Sequence, residues 1–200
     1  MPILLVILAA TFGAATAFFL PRIAYRLAVP GGSPLSLRGY VVTTATGAAI
    51  AATLAVAIGE SPLLPVYLLA AVPGLLLAMI DLRCLRLPDR IVGLLALVAG
   101  VPLAVMLPSR IGPALLAGVL VSGAYLLVPG FGLGDVKLAG VLAFILGFAG
   151  WPAVAVGVIV PHLIGGPIAV FLLVTGRSRI FPFGPALLAG ALAAVSLTAA

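Results

Sequence analysis

The sequence predicts an all-α fold: a polytopic transmembrane helix bundle of about eight spans, with the N-terminus and C-terminus outside. Three observations predict it. The 200 residues are 64% hydrophobic and only 7% charged, with a mean hydropathy of +1.43, against roughly 45–50% apolar and about 25% charged in a soluble domain. That excludes a water-soluble globule, and it excludes disorder, because such a chain readily finds surface to bury. Apolar runs approaching the roughly 20 residues that a bilayer requires recur between clusters of Arg, Gly and Pro. The positive charges fall almost entirely on alternate connections. A single domain over 1–200 is expected, with no room for a separate soluble one.

Taken in order, the apolar runs lie at 3–20, 41–58, 63–80, 91–107, 112–128, 137–149, 152–174 and 184–199. The first contains Ala15-Thr16-Ala17, which resembles a signal-peptidase site but lacks a basic region before it, so a retained span is expected. The stretch 137–174 is too long for one ordinary span, and Gly150-Trp151-Pro152 is the expected turn between two. Charge supports the split. Eight spans put Arg22, Arg26, Arg38, Arg83, Arg86, Arg90, Lys137, Arg177 and Arg179 inside and leave Arg110 alone outside, as the positive-inside rule requires. Merging spans six and seven would send Arg177 and Arg179 to the wrong side. Gly-Pro-Ala-Leu-Leu-Ala-Gly occurs at both 112–118 and 184–190, each time where a helix starts, and no wider period accompanies it. Small-residue spacings such as Gly140 to Gly147 suit helix packing, and Trp151 and Tyr125 suit interface or packing positions.

One cysteine, Cys84, cannot form a disulfide within the chain, and one histidine, His162, makes no cluster for zinc or haem. No metal site and no cofactor are expected. The net charge of +6 is spread between apolar segments and reads as topology, so no nucleic-acid partner is expected; the lipid bilayer is one. His162 follows Pro161 within span seven. An intramembrane histidine is a functional candidate, and the alternative is a hydrogen bond to a carbonyl that the proline leaves free.

The chain has four acidic residues, Glu60, Asp81, Asp89 and Asp135. Glu60 lies in the outer turn Gly59-Glu60-Ser61-Pro62 and reads as a solvated loop charge. Asp81 directly follows the run Leu75 to Ile80, where an ionisable group is costly unless paired or functional. Asp135 sits in Gly132-Leu133-Gly134-Asp135-Val136-Lys137 at the same cytoplasmic side. Two neighbouring carboxylates do not both ionise comfortably, so one holds a proton while the other takes one from water. That is the requirement for aspartic proteolysis without metal or covalent intermediate. Gly132 and Gly134, lacking side chains, would let backbone and peptide substrate approach Asp135. The plain alternative is that both aspartates cap helices or pair with Arg83 and Lys137.

Three separated segments resemble the type IV prepilin peptidases, membrane aspartic proteases of the Gly-x-Gly-Asp class. Asp81-Leu82-Arg83-Cys84-Leu85-Arg86-Leu87-Pro88-Asp89 is similar to the family's first motif, Gly132-Leu133-Gly134-Asp135-Val136-Lys137-Leu138 to its second, and Phe181-Pro182-Phe183-Gly184-Pro185 to the opening of its last helix. The match covers about 65–190, the expected catalytic core, with 1–64 supplying N-terminal spans. The resemblance implies that Asp81 and Asp135 are the catalytic pair and that Pro88 and Asp89 are structural, Asp89 capping span four, with direct contact to the substrate as its alternative role. Lys137 either orients Asp135 or anchors the interface. The resemblance also implies an enzyme of the cytoplasmic membrane that removes the basic leader of a prepilin or pseudopilin precursor at the cytoplasmic face. Larger relatives carry an N-terminal domain with paired cysteines, and many methylate the new N-terminus. This chain resembles the short, peptidase-only form, which puts methyl transfer in doubt.

Two rivals use the same aspartates. The presenilin or signal-peptide-peptidase type also joins an Asp to Gly-x-Gly-Asp and has a Pro-Ala-Leu like Pro185-Ala186-Leu187, but the first motif here ends in Leu-Pro-Asp and reads as a loop. A small proton-coupled transporter would want its acids near the midplane, whereas both aspartates border polar loops. A non-catalytic assembly subunit would tolerate Asn at both positions.

Overall fold

The computed structural model describes residues 3–28, 36–128, 130–175 and 181–198. Among them are eight α-helices: α1 (Ile3–Ala28), α2 (Leu37–Ile58), α3 (Leu64–Cys84), α4 (Asp89–Met106), α5 (Ile111–Leu127), α6 (Leu133–Gly147), α7 (Trp151–Val174) and α8 (Gly184–Thr198), with a 3₁₀ turn at Pro108–Arg110 leading into α5. The all-helical, multi-pass expectation holds. Six of these helices are long and apolar enough to cross a membrane. The exceptions are α6 and α8, 15 residues each, about 22 Å of rise against a hydrocarbon core of about 30 Å.

Several boundaries differ from the sequence reading, with α2 starting at Leu37 and α6 at Leu133, each four residues early. α1 continues through Pro21, Arg22 and Arg26 to Ala28, because arginine is a good helix former and a membrane helix tolerates proline. Ala15-Thr16-Ala17 lies within that unbroken helix. α3 likewise continues to Cys84, so Asp81 occupies its last turn and not a loop. The Gly150 turn appears where expected. Gly150 has φ +117°, a region closed to most side chains, and α7 starts at Trp151. Pro30-Gly31-Gly32, Arg177 and Arg179 lie outside the described residues.

These helices are apolar around nearly their whole circumference, so lipid supplies no hydrophobic force to sort their faces, and close packing of small residues does it. Gly13 on α1 meets Gly47 and Ala51 on α2. Gly140 and Gly147 on α6 meet Ser122, Gly118 and Ala114 on α5. α4 and α8 each pack against both α3 and α6, making a four-helix centre flanked by the α1–α2 hairpin, α5 and α7. The end of α3 and the starts of α4, α6 and α8 therefore share one end of the bundle. At the other end Arg110 donates from Nη1 to the carbonyl oxygens of Phe148 at 3.1 Å and Ala149 at 3.2 Å. It satisfies carbonyls that the end of α6 leaves open.

Candidate active site

Asp81 is mounted by three segments. The apolar run Leu75 to Ile80 carries α3 to its last turn, where Asp81 is 4% exposed. Leu85 then adopts a left-handed conformation, φ 53° and ψ 36°, and its N–H returns to the Asp81 carbonyl at 2.9 Å. A side chain there costs about 1–2 kcal/mol, strain of the kind that gathers at functional sites. Asp81 Oδ2 accepts the backbone N–H of Gly184 at 2.9 Å, so the first residue of α8 directs its N–H at the carboxylate. A Cβ on Gly184 would lie 2.8 Å from that same oxygen. Only glycine leaves room for the contact.

Asp135 is mounted by its own helix start. Gly132 is the N-cap of α6, with extended backbone, and Asp135 stands three residues on, its carboxylate turned back beside Gly132, with Oδ2 3.5 Å from where a Cβ would stand. This is the position of the acid in a capping box. Gly134 has a different role from the one its sequence suggests. Leu87, from the connection after α3, fills the space beside it, 3.1 Å from where a Cβ would stand. The bare backbone of Gly134 thus receives the first motif. Pro88 holds that connection open by fixing its own φ at −65° and keeping Leu87 from continuing a helix.

Asp81, Asp135, Gly132, Gly134, Lys137, Pro88 and Asp89 all line one cleft of about 750 Å³, together with Leu27 at the end of α1. The two aspartates are close enough for the charge of Asp81 to reach Asp135. Asp89 corrects the sequence reading. Pro88 takes the N-cap position of α4, Asp89 follows as the first helical residue, and its carboxylate meets Lys137 Nζ at 2.7 Å instead of capping the helix. Lys137 is therefore engaged with Asp89. Both side chains are half or more exposed, 50% and 68%, and such pairs contribute about 0.2–1 kcal/mol. We expect Asp89→Asn to lower stability by less than about 1 kcal/mol in denaturant unfolding, with a larger loss showing that the pair joins α4 to α6 more firmly than its exposure implies.

Sequence reasoning missed Gly184, whose N–H meets Asp81. Behind the cleft, Phe131 stacks on Tyr125 at 4.8 Å and on Phe183 at 5.0 Å, while His162 lies 5.5 Å from Tyr125 and 5.4 Å from Phe183. His162 Nδ1 meets the Val158 carbonyl at 2.7 Å, one residue beyond the carbonyl that Pro161 frees. Phe131 and Phe183 immediately precede Gly132 and Gly184.

The family model of the type IV leader peptidases matches residues 68–175. The chain belongs to this family. No curated protein and no solved structure matches it. The match runs from α3 to just past α7 and so contains both aspartates, while Gly184 lies beyond it. In this multi-pass leader peptidase the N–H on Asp81 thus comes from a helix start outside the matched region.

Proposed function

We propose that the chain is an aspartic endopeptidase that cuts the basic leader from type IV prepilin-like precursors at the cytoplasmic face of the cell's inner membrane. Asp81 and Asp135 are its catalytic pair. One observation carries the reading: two aspartates from separate motifs, one accepting the Gly184 N–H at the start of α8 and the other in the first turn of α6, line one cleft. One carboxylate takes a proton from water as the water oxygen bonds to the scissile carbonyl carbon, and the other gives its proton to the carbonyl oxygen. Collapse of the tetrahedral intermediate breaks the C–N bond, and a carboxyl proton goes to the leaving amine. The Gly184 N–H holds the Asp81 carboxylate ready for this exchange.

The charges support the orientation. Arg83, Arg86, Arg90 and Lys137 stand at the cleft end of the bundle and Arg110 at the other, as for a cleft facing the cytoplasm. Residues 65–190 form the catalytic core on this reading and 1–64 support it, while methyl transfer is no part of it. The test is purified protein in proteoliposomes with a synthetic precursor, a short basic leader joined to an apolar helix, the products weighed by mass spectrometry. One cut at the leader boundary is expected, unaffected by chelators or by serine and cysteine reagents. A cut within the apolar helix would replace this reading with a presenilin-type one.

A further inference from the structure

Of the four acidic side chains in the sequence, Glu60 precedes α3 at the end of the bundle opposite the cleft, and Asp81 and Asp135 form the pair. Asp89 is therefore the sole further acid at the cleft. It lines the same cleft as the pair, at the start of α4, with its side chain 68% exposed. Because Pro88 holds the N-cap position, the carboxylate is not tied to its own helix. Its partner is Lys137 Nζ at 2.7 Å, in the second turn of α6 and itself half exposed. Arg86 and Arg90 stand exposed in the same lining. The cleft thus offers a substrate three cations and, beside the reacting pair, one anion.

We infer that Asp89 reads the leader: its carboxylate takes a basic side chain of the precursor in place of Lys137 and so fixes which peptide bond reaches Asp81 and Asp135. This rests on the endopeptidase reading above. A basic leader is repelled wherever it nears Arg86, Arg90 or Lys137 and attracted at one point. Repulsion around a single attraction gives register as well as affinity. The exchange is feasible because Asp89 and Lys137 are both in contact with water, so their pair is weak and an ammonium or guanidinium from the substrate replaces it at little cost. Reach limits which residue is read. A cleft of about 750 Å³ is about 9 Å across, and an extended chain advances about 3.3 Å per residue, so the residue read lies within about three of the bond that is cut.

The test uses purified protein in proteoliposomes and synthetic precursors, each an apolar helix behind a leader whose single lysine stands just before the cut. Asp89→Asn is expected to raise KM about fivefold, the upper range for an exposed charge pair, with kcat within about twofold of wild type. That effect disappears when the precursor's lysine is glutamine, and Asp89→Lys prefers a precursor with glutamate there. Lys137→Gln distinguishes reading from bracing: it breaks the same ion pair but frees Asp89 for the substrate, so KM does not rise. A KM for Asp89→Asn within about twofold of wild type overturns the inference, as does any rise in KM for Lys137→Gln, a rise for Asp89→Asn that persists with the glutamine precursor, or a preference for lysine retained by Asp89→Lys. Asp135→Asn separates the two readings. If it still cleaves, the aspartate pair itself is wrong; if it is inactive while wild type cuts the lysine and glutamine precursors equally well, only the role of Asp89 falls.

Discussion

Asp81→Asn and Asp135→Asn each lower precursor cleavage by about 10²–10⁴-fold in membranes that contain normal amounts of the protein. Asparagine matches aspartate in shape, and at position 81 its side-chain oxygen still accepts the N–H of Gly184. That mount therefore survives while the proton exchange does not. The two losses are not additive. Once either carboxylate is gone the other has no partner in the exchange, so the double variant is no worse than the single ones, the behaviour of residues that act as a unit. Co-expression with a candidate precursor and its mobility shift on a gel reads all three variants. Cleavage within a few-fold of wild type by either single variant removes the pair from the mechanism. Full additivity would mean that the aspartates act in separate steps.

Gly184→Val lowers cleavage by about 100-fold without unfolding the bundle. A Cβ at 184 falls 2.8 Å from Asp81 Oδ2 and 3.2 Å from its Cγ, so the carboxylate must move by a sizeable part of an ångström. Misplacement of about 1 Å costs about 10²-fold in such sites. The atom displaced is the end of a side chain and not backbone, so the fold absorbs the change and the chemistry does not. The sequence contains its own control. Gly112 opens the identical heptapeptide on α5, and a Cβ there meets nothing within 4 Å. Gly112→Ala is expected to be silent where Gly184→Ala already impairs cleavage. Equal behaviour of the two alanine variants shows that the contact with Asp81 is idle.

That heptapeptide also shows where reading the sequence stops. Both copies start helices, as their local chemistry dictates, yet one glycine faces open space and the other a buried carboxylate. Local sequence carries no trace of the difference, which arises only when α8 docks beside α3. Hydropathy and arginine placement did reveal the helix count and the shared end of the two aspartate motifs, because desolvation acts on each segment by itself. Pro88 was legible for the same reason, its effect on Leu87 being a matter of neighbouring atoms. Asp89 misled because a proline one residue earlier took the cap position, leaving its carboxylate to Lys137 on another helix.

The short length of α6 acquires meaning from Arg110. By holding the Phe148 and Ala149 carbonyls, Arg110 keeps the far end of α6 level with the turn into α5. On the proposed orientation the shortfall of about 8 Å against the hydrocarbon core lies toward the end that bears Asp135, where the cleft of about 750 Å³ opens. On the proposed function a precursor helix then stays in the bilayer while only the peptide bond at its end enters that cleft. On this view an arginine on the opposite side of the membrane sets how deep the reaction lies.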